Sequence, residues 1–75
     1  MPHVIVKLWP GRSEEKKQEL AEAIAKDLTS VFGCSDESVS VSFEEVEQAR
    51  WRDEVFVPDI TGHPERLYKK PGYDM

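Results

Sequence analysis

An α/β fold built on one βαβ unit is predicted by three features of the sequence. These are an apolar strand-like segment near the start, a long stretch with apolar residues at helical spacing, and a second segment that alternates strictly. In the first, residues 4–9, Val4, Val6 and Leu8 form one face and Ile5, Lys7 and Trp9 the other. Pro10-Gly11 then punctuates the chain.

Ser13 suits a helix N-cap, because its hydroxyl can accept from a backbone N–H that the first turn leaves unpaired, and Glu14 and Glu15 suit the positive end of the helix dipole. Leu20, Ile24, Leu28, Val31 and Phe32 recur at helical spacing with Ala21 and Ala25 beside them. Glu15, Lys16, Glu19, Glu22 and Lys26 fall mainly on the opposite side, and Gly33 is the natural stop. From Ser38 to Phe43, Val39, Val41 and Phe43 alternate with Ser38, Ser40 and Ser42, the pattern of a half-buried strand.

A helix of about 19 residues is roughly 28 Å long, and a strand of about 8 residues spans nearly as much. The helix can therefore return the chain to its start, leaving two parallel strands and a right-handed crossover. Two strands under one helix keep open edges and an uncovered sheet face, which predicts association with a second copy whose sheet joins the first. Residues 47–57 are expected to include a short helical turn around Trp51. Pro58, Gly62 and Pro64 interrupt the tail, and Pro64 could open a short helix through Lys70. The expected organisation is a single domain over 1–75, with a βαβ core at 2–46 and a C-terminal extension at 47–75.

Seventy-five residues bury only roughly 60% of the surface exposed on unfolding, a marginal core that small folds reinforce with disulfides, a metal or oligomerisation. Cys34 is the only cysteine, and His3 and His63 lie far apart with no Cys/His cluster, so no metal site is expected. Homo-oligomerisation remains, with a dimer as the first expectation and a trimer or hexamer as alternatives. The net charge of −5, with both signs interspersed, offers no basic stripe for nucleic acid. No long apolar segment follows Met1, so no membrane partner is expected and the cytoplasm is the expected location.

Met1-Pro2 is the first candidate for chemistry. Removal of Met1 before a small second residue would leave Pro2 with a secondary amine at the start of a strand. An α-amino group ordinarily titrates at about 7.7–8.0, and desolvation or a neighbouring cation lowers that value toward a base poised near working pH. Arg12 lies at the mouth of the strand–helix turn, where parallel sheets commonly bind ligands, and its guanidinium could hold a carboxylate by two parallel hydrogen bonds.

Pro2, Gly11-Arg12-Ser13-Glu14-Glu15-Lys16, the Leu20/Ile24/Leu28 helix and Ser38-Val39-Ser40-Val41 together resemble the 4-oxalocrotonate tautomerase family of the tautomerase superfamily, over residues 2 to 51. The closing Leu67-Tyr68-Lys69-Lys70-Pro71-Gly72-Tyr73 is similar to the tail of a longer bacterial branch that includes phenylenolpyruvate-type tautomerases. The resemblance implies a tautomerase-type βαβ subunit and a cofactor-independent isomerase acting on a small-molecule carboxylate. In it Pro2 is the general base, Arg12 binds a substrate carboxylate and Trp51 walls the site. Ser40 departs from the pattern, because the diacid isomerases of the family carry a second arginine there. A monocarboxylate such as an arylpyruvate enol is therefore expected, with Arg50 and Arg52, flanking Trp51, as candidates for the missing cation or simply as solvated charges.

Two alternatives stand beside this reading: a hydratase or dehalogenase of haloacrylates, for which Glu44, Glu45 and Glu47 offer carboxylates, and a non-catalytic oligomeric ligand-binding module. His3 could tune Pro2, although by alternation it points away from its neighbours. Cys34, without a basic neighbour in sequence, is not expected to act as a nucleophile. Tyr68 and Tyr73 are expected to bury the tail rather than touch substrate.

Overall fold

A computed structural model describes residues Met1–Met75. The chain divides into two compact units, Met1–Glu45 and Val46–Met75.

The first unit is the expected βαβ: strand β1 (His3–Leu8), helix α1 (Glu14–Phe32) and strand β2 (Ser40–Glu45), the strands pairing in parallel. The register sets His3 against Ser40 and continues to Leu8 against Glu45. Paired residues share a face, so Val4, Val6 and Leu8 lie with Val41, Phe43 and Glu45, while His3, Ile5 and Lys7 lie with Ser40, Ser42 and Glu44.

Both caps of α1 form as their residue types dictate. Ser13 Oγ accepts from the Lys16 N–H at 3.1 Å, and Gly33, left-handed at φ 71°, donates its N–H to the Thr29 carbonyl. Lys17 Nζ reaches Glu14 in its own first turn and Glu45 at the end of β2, at 3.1 Å each. These carboxylates, the Glu14 hydrogen bond foremost, hold the Lys17 ammonium above its ordinary range. The contact pins α1 to the sheet face that carries Val41, Phe43 and Glu45.

β2 begins later than the alternation of residues 38–43 suggests. Both the N–H and the Oγ of Ser38 bond to the Ser35 carbonyl, closing a 3₁₀ turn over Asp36–Ser38 that keeps Ser38 out of the strand. No residue of this unit is fully buried, and at the end of α1 Val31 and Phe32 are 77% and 69% exposed.

In the second unit the turn expected around Trp51 is the start of a longer helical run. Helix α2 (Gln48–Trp51) passes into a π-helix over Arg52–Thr61 that contains Pro58. Gly62 closes it by donating to the Val57 carbonyl at 2.8 Å, and any Cβ there would lie 2.6 Å from that oxygen. The short helix opened by Pro64 ends at Arg66, and Leu67 is extended. Continuing to Lys70 would force the residue before Pro71 into the disfavoured α region. The three buried apolar side chains, Val46, Val55 and Phe56, all belong to this unit. No helix is long and apolar enough to cross a membrane.

Candidate active site

Pro2 directly precedes β1 and is half-buried, and its carbonyl accepts from the Ser40 N–H at 3.2 Å. The sheet ladder thus reaches back to the residue that would carry the reactive amine. Met1, beyond it, is fully exposed. While Met1 is attached the Pro2 nitrogen is an amide and has no basic lone pair.

One step along the ladder, His3 Nδ1 and Ser40 Oγ lie 2.6 Å apart. That spacing is a close hydrogen bond. Ser40 Oγ can donate to Nδ1 or accept from it, according to the tautomer of the ring. As alternation suggests, His3 lies on the face opposite Val4. Parallel pairing puts it on the same face as Ser40, and its imidazole engages the side chain at the position where the resemblance would place a second arginine.

Arg12 is fixed in backbone but open in side chain. Gly11 on one side has φ 120°, a conformation that favours glycine although a Cβ would meet nothing within 4 Å, and Ser13 on the other is the helix cap. Arg50, Arg52 and Arg66 are each engaged by a nearby carboxylate (Glu54, Asp53 and Glu65), whereas Arg12 is exposed and takes part in no such pair. A free guanidinium on a rigid turn is a ready carboxylate receptor.

The chain does not bring Arg12 to Pro2. They stand at opposite ends of β1, whose six residues span roughly 20 Å at strand rise.

In the second unit Trp51 ends α2 half-buried, and its Nε1–H donates to the Tyr73 Oη at 2.9 Å. Arg50 and Arg52 flank it, bound to Glu54 at 3.3 Å and Asp53 at 2.9 Å. These local pairs reduce the availability of both for a substrate. Cys34 is a half-buried free thiol aimed at the Leu28 carbonyl, and no group of three His, Cys, Asp or Glu side chains converges to hold a metal ion.

Sequence reasoning missed the His3–Ser40 bond, the Lys17 bridge and the Trp51–Tyr73 bond. Only the Lys17–Glu14 half of the bridge carried a local signal, its spacing of three residues on a helix.

A family model described as tautomerase enzyme matches residues 2–55. A tautomerase PptA from Pectobacterium carotovorum is 50% identical over 74 residues, covering 97% of each chain. A probable tautomerase from Xylella fastidiosa is 47% identical over 73 residues, covering 97% of this chain and 89% of the relative. Among solved structures, TomN, a 4-oxalocrotonate tautomerase homologue of the tomaymycin biosynthetic pathway, superposes with a TM-score of 0.65 at 34% identity, over 67% of this chain and 77% of that one. YwhB, another 4-oxalocrotonate tautomerase homologue, gives 0.61 at 34% identity over 63% and 77%.

Proposed function

Because this chain belongs to the tautomerase family, we propose that, as a tautomerase, it converts the enol of a small 2-oxo acid, an arylpyruvate, with the free amine of Pro2 as general base. The base takes the enol O–H proton, the C=O bond forms, and the π pair accepts a proton at the adjacent carbon. Atoms and electrons balance without a redox partner, and the step calls on no metal or cofactor. The observation that carries this reading is Pro2 itself, held by the Ser40 N–H at the tip of β1 with an exposed Met1 open to removal.

Arg12 binds the substrate carboxylate, and its separation from Pro2 makes the site a shared one. Each strand has a free edge in the β1–β2 sheet. Joining two copies about a two-fold axis sets β1 against β1 antiparallel, which brings Pro2 of one protomer toward Arg12 of the partner subunit. The family resemblance gives Trp51 the role of an apolar wall beside the substrate. Ser40, engaged with His3, supplies no cation for a second carboxylate, which supports a monoacid. The chain works as one domain over 1–75, and its single free cysteine fits a cytoplasmic location.

Two impaired variants test the base and the sharing together. Pro2→Leu, whose bulky second residue keeps Met1 in place, should lose at least about 100-fold in phenylenolpyruvate ketonisation. Arg12→Ala should lose about tenfold or more in kcat/KM with an unchanged far-UV spectrum. Refolded as an equal mixture, they should regain about one quarter of wild-type activity, because half the dimers are mixed and each mixed dimer has one complete site. Wild-type turnover by Pro2→Leu sinks the mechanism. A mixture that recovers nothing sinks the shared site alone.

Substrate choice is a separate matter. kcat/KM should be higher for phenylenolpyruvate than for the diacid 2-hydroxymuconate, because a second carboxylate would be desolvated without a partner. Ser40→Arg should narrow that gap from the diacid side, and a native preference for the diacid would overturn the monoacid assignment.

A further inference from the structure

The two tyrosines of the C-terminal tail are placed very differently. Tyr68 is fully exposed, while Tyr73 accepts a hydrogen bond from Trp51 and lays its ring against Phe56, with centroids 5.5 Å apart and planes tilted by 38°. Phe56 is only 5% exposed and so is a fixed anchor. An indole N–H is a donor only, and here it is satisfied by the Tyr73 oxygen, which holds that edge of the ring. Tyr73 thus links a buried ring to the edge of an indole 22 residues away in sequence.

Tyr73 is not simply filling space. It remains 46% exposed, and behind it lies an open cavity of about 330 Å³ whose lining includes Phe56, Ile60, Leu67, Pro71 and Tyr73. With room on that side, the phenol oxygen and the Phe56 contact hold the ring in place. Without the hydroxyl, the tyrosine ring can settle toward the cavity, and the indole N–H loses its acceptor.

We propose that Tyr73 is a positioning residue that fixes the Trp51 indole, so that the C-terminal tail governs how tightly the enzyme accepts an aryl substrate. This rests on the reading above that Trp51 walls the substrate site. Tyr73 acts through Trp51 and takes no part in proton transfer, so its loss falls on KM rather than kcat, and on aromatic rather than aliphatic substrates.

The test compares Tyr73→Phe, Trp51→Phe, the double variant and Tyr68→Phe on two substrates, phenylenolpyruvate and the enol of an unbranched alkyl 2-oxo acid. An indole-region ¹H–¹⁵N spectrum is recorded for each. Tyr73→Phe should raise KM for phenylenolpyruvate about two- to tenfold, the range of one exposed neutral hydrogen bond, with kcat within about twofold and the alkyl enol unaffected. The Trp51 Nε1–H resonance should move, the double variant should match Trp51→Phe, and Tyr68→Phe should match wild type. If Trp51→Phe impairs the aryl substrate while Tyr73→Phe does not, the proposal falls and the reading of Trp51 stands. If Trp51→Phe leaves the aryl substrate untouched, that reading falls and takes the proposal with it. An equal loss on both substrates, or an unmoved indole resonance, assigns Tyr73 to folding alone and overturns its positioning role.

Discussion

The two units of this chain divide regularity and burial between them. Met1–Glu45 has capped, ladder-paired secondary structure and no fully buried side chain. Val46–Met75 is a π-helix, two short turns and a tail, yet it contains Val46, Val55 and Phe56, the buried residues of the whole chain. Backbone hydrogen bonding and apolar burial are thus separable. Strong local signals shape the βαβ unit, and its exposed Val31 and Phe32 show how little core it makes. The irregular unit has few local signals and is organised around two adjacent apolar residues. A small chain that places so little apolar surface away from water relies heavily on each buried group and on what a second copy can cover.

The largest test of this contrast is a pair of alanine substitutions of the same residue type. Phe56→Ala should cost about 3–5 kcal/mol, a large part of the total of about 4–11 kcal/mol expected for a chain of this length, so the midpoint of a urea or thermal melt should fall steeply. Phe32→Ala, at an exposed site, should change the midpoint by less than about 0.5 kcal/mol. A loss of several kcal/mol at Phe32 that grows on dilution would break the comparison, because it would mean that the end of α1 is an interface.

Next in size is Gly62→Ala. The backbone at Gly62 is right-handed (φ −71°), so conformational strain is not the issue. The obstacle is the Val57 carbonyl oxygen at 2.6 Å and that of Pro58 at 3.0 Å from the added Cβ, both backbone atoms. Opening the last turn to admit a methyl group should cost about 1–3 kcal/mol. The same substitution at Gly72, where nothing lies within 4 Å, should be silent in the same melt. Equal effects at the two positions would show that the end of the π-helix tolerates displacement.

The sequence is readable to the extent that its signals are local. Ser13 and Gly33 mark the ends of α1, and Val4, Val6 and Val41 mark the inner face of the sheet, because caps and alternation act within a few residues. Ser38 is misread because two patterns compete for it, strand alternation and a bond back to Ser35, and the shorter-range one prevails. No composition signal separates a π-helix from an α-helix, and Pro58 reads as a breaker although the structure accommodates it inside a helix. Of the site, Pro2, Arg12 and Trp51 are legible as candidates by type and resemblance. Their relations are not. The His3–Ser40 bond depends on a register between residues 37 positions apart, and the separation of Pro2 and Arg12 across the length of β1 is set by a strand end that alternation does not mark.

The smallest expected effect concerns Lys17, the tie between α1 and β2 within the regular unit. Its pKa is raised above the ordinary 10.5, first by the hydrogen bond to Glu14 and then by that to Glu45. A cation whose folded pKa exceeds its unfolded one stabilises the fold fully below the unfolded value, and that contribution fades as pH rises through the folded value. Urea midpoints of wild type and Lys17→Met should therefore differ by a small, constant amount from neutral pH to about pH 10, and converge in more alkaline solution as the wild-type Lys17 ammonium loses its proton. Salt should shrink the difference, because Glu14 is 91% exposed on its side chain and the pair is open to screening. Glu45, 40% exposed, should contribute the more salt-resistant part. Lys17→Met combined with Glu45→Gln should then cost little more than Lys17→Met alone, because each removes the same tie. A midpoint difference that already declines between pH 7 and 9 would mean that some other group, titrating lower, holds the helix to the strand.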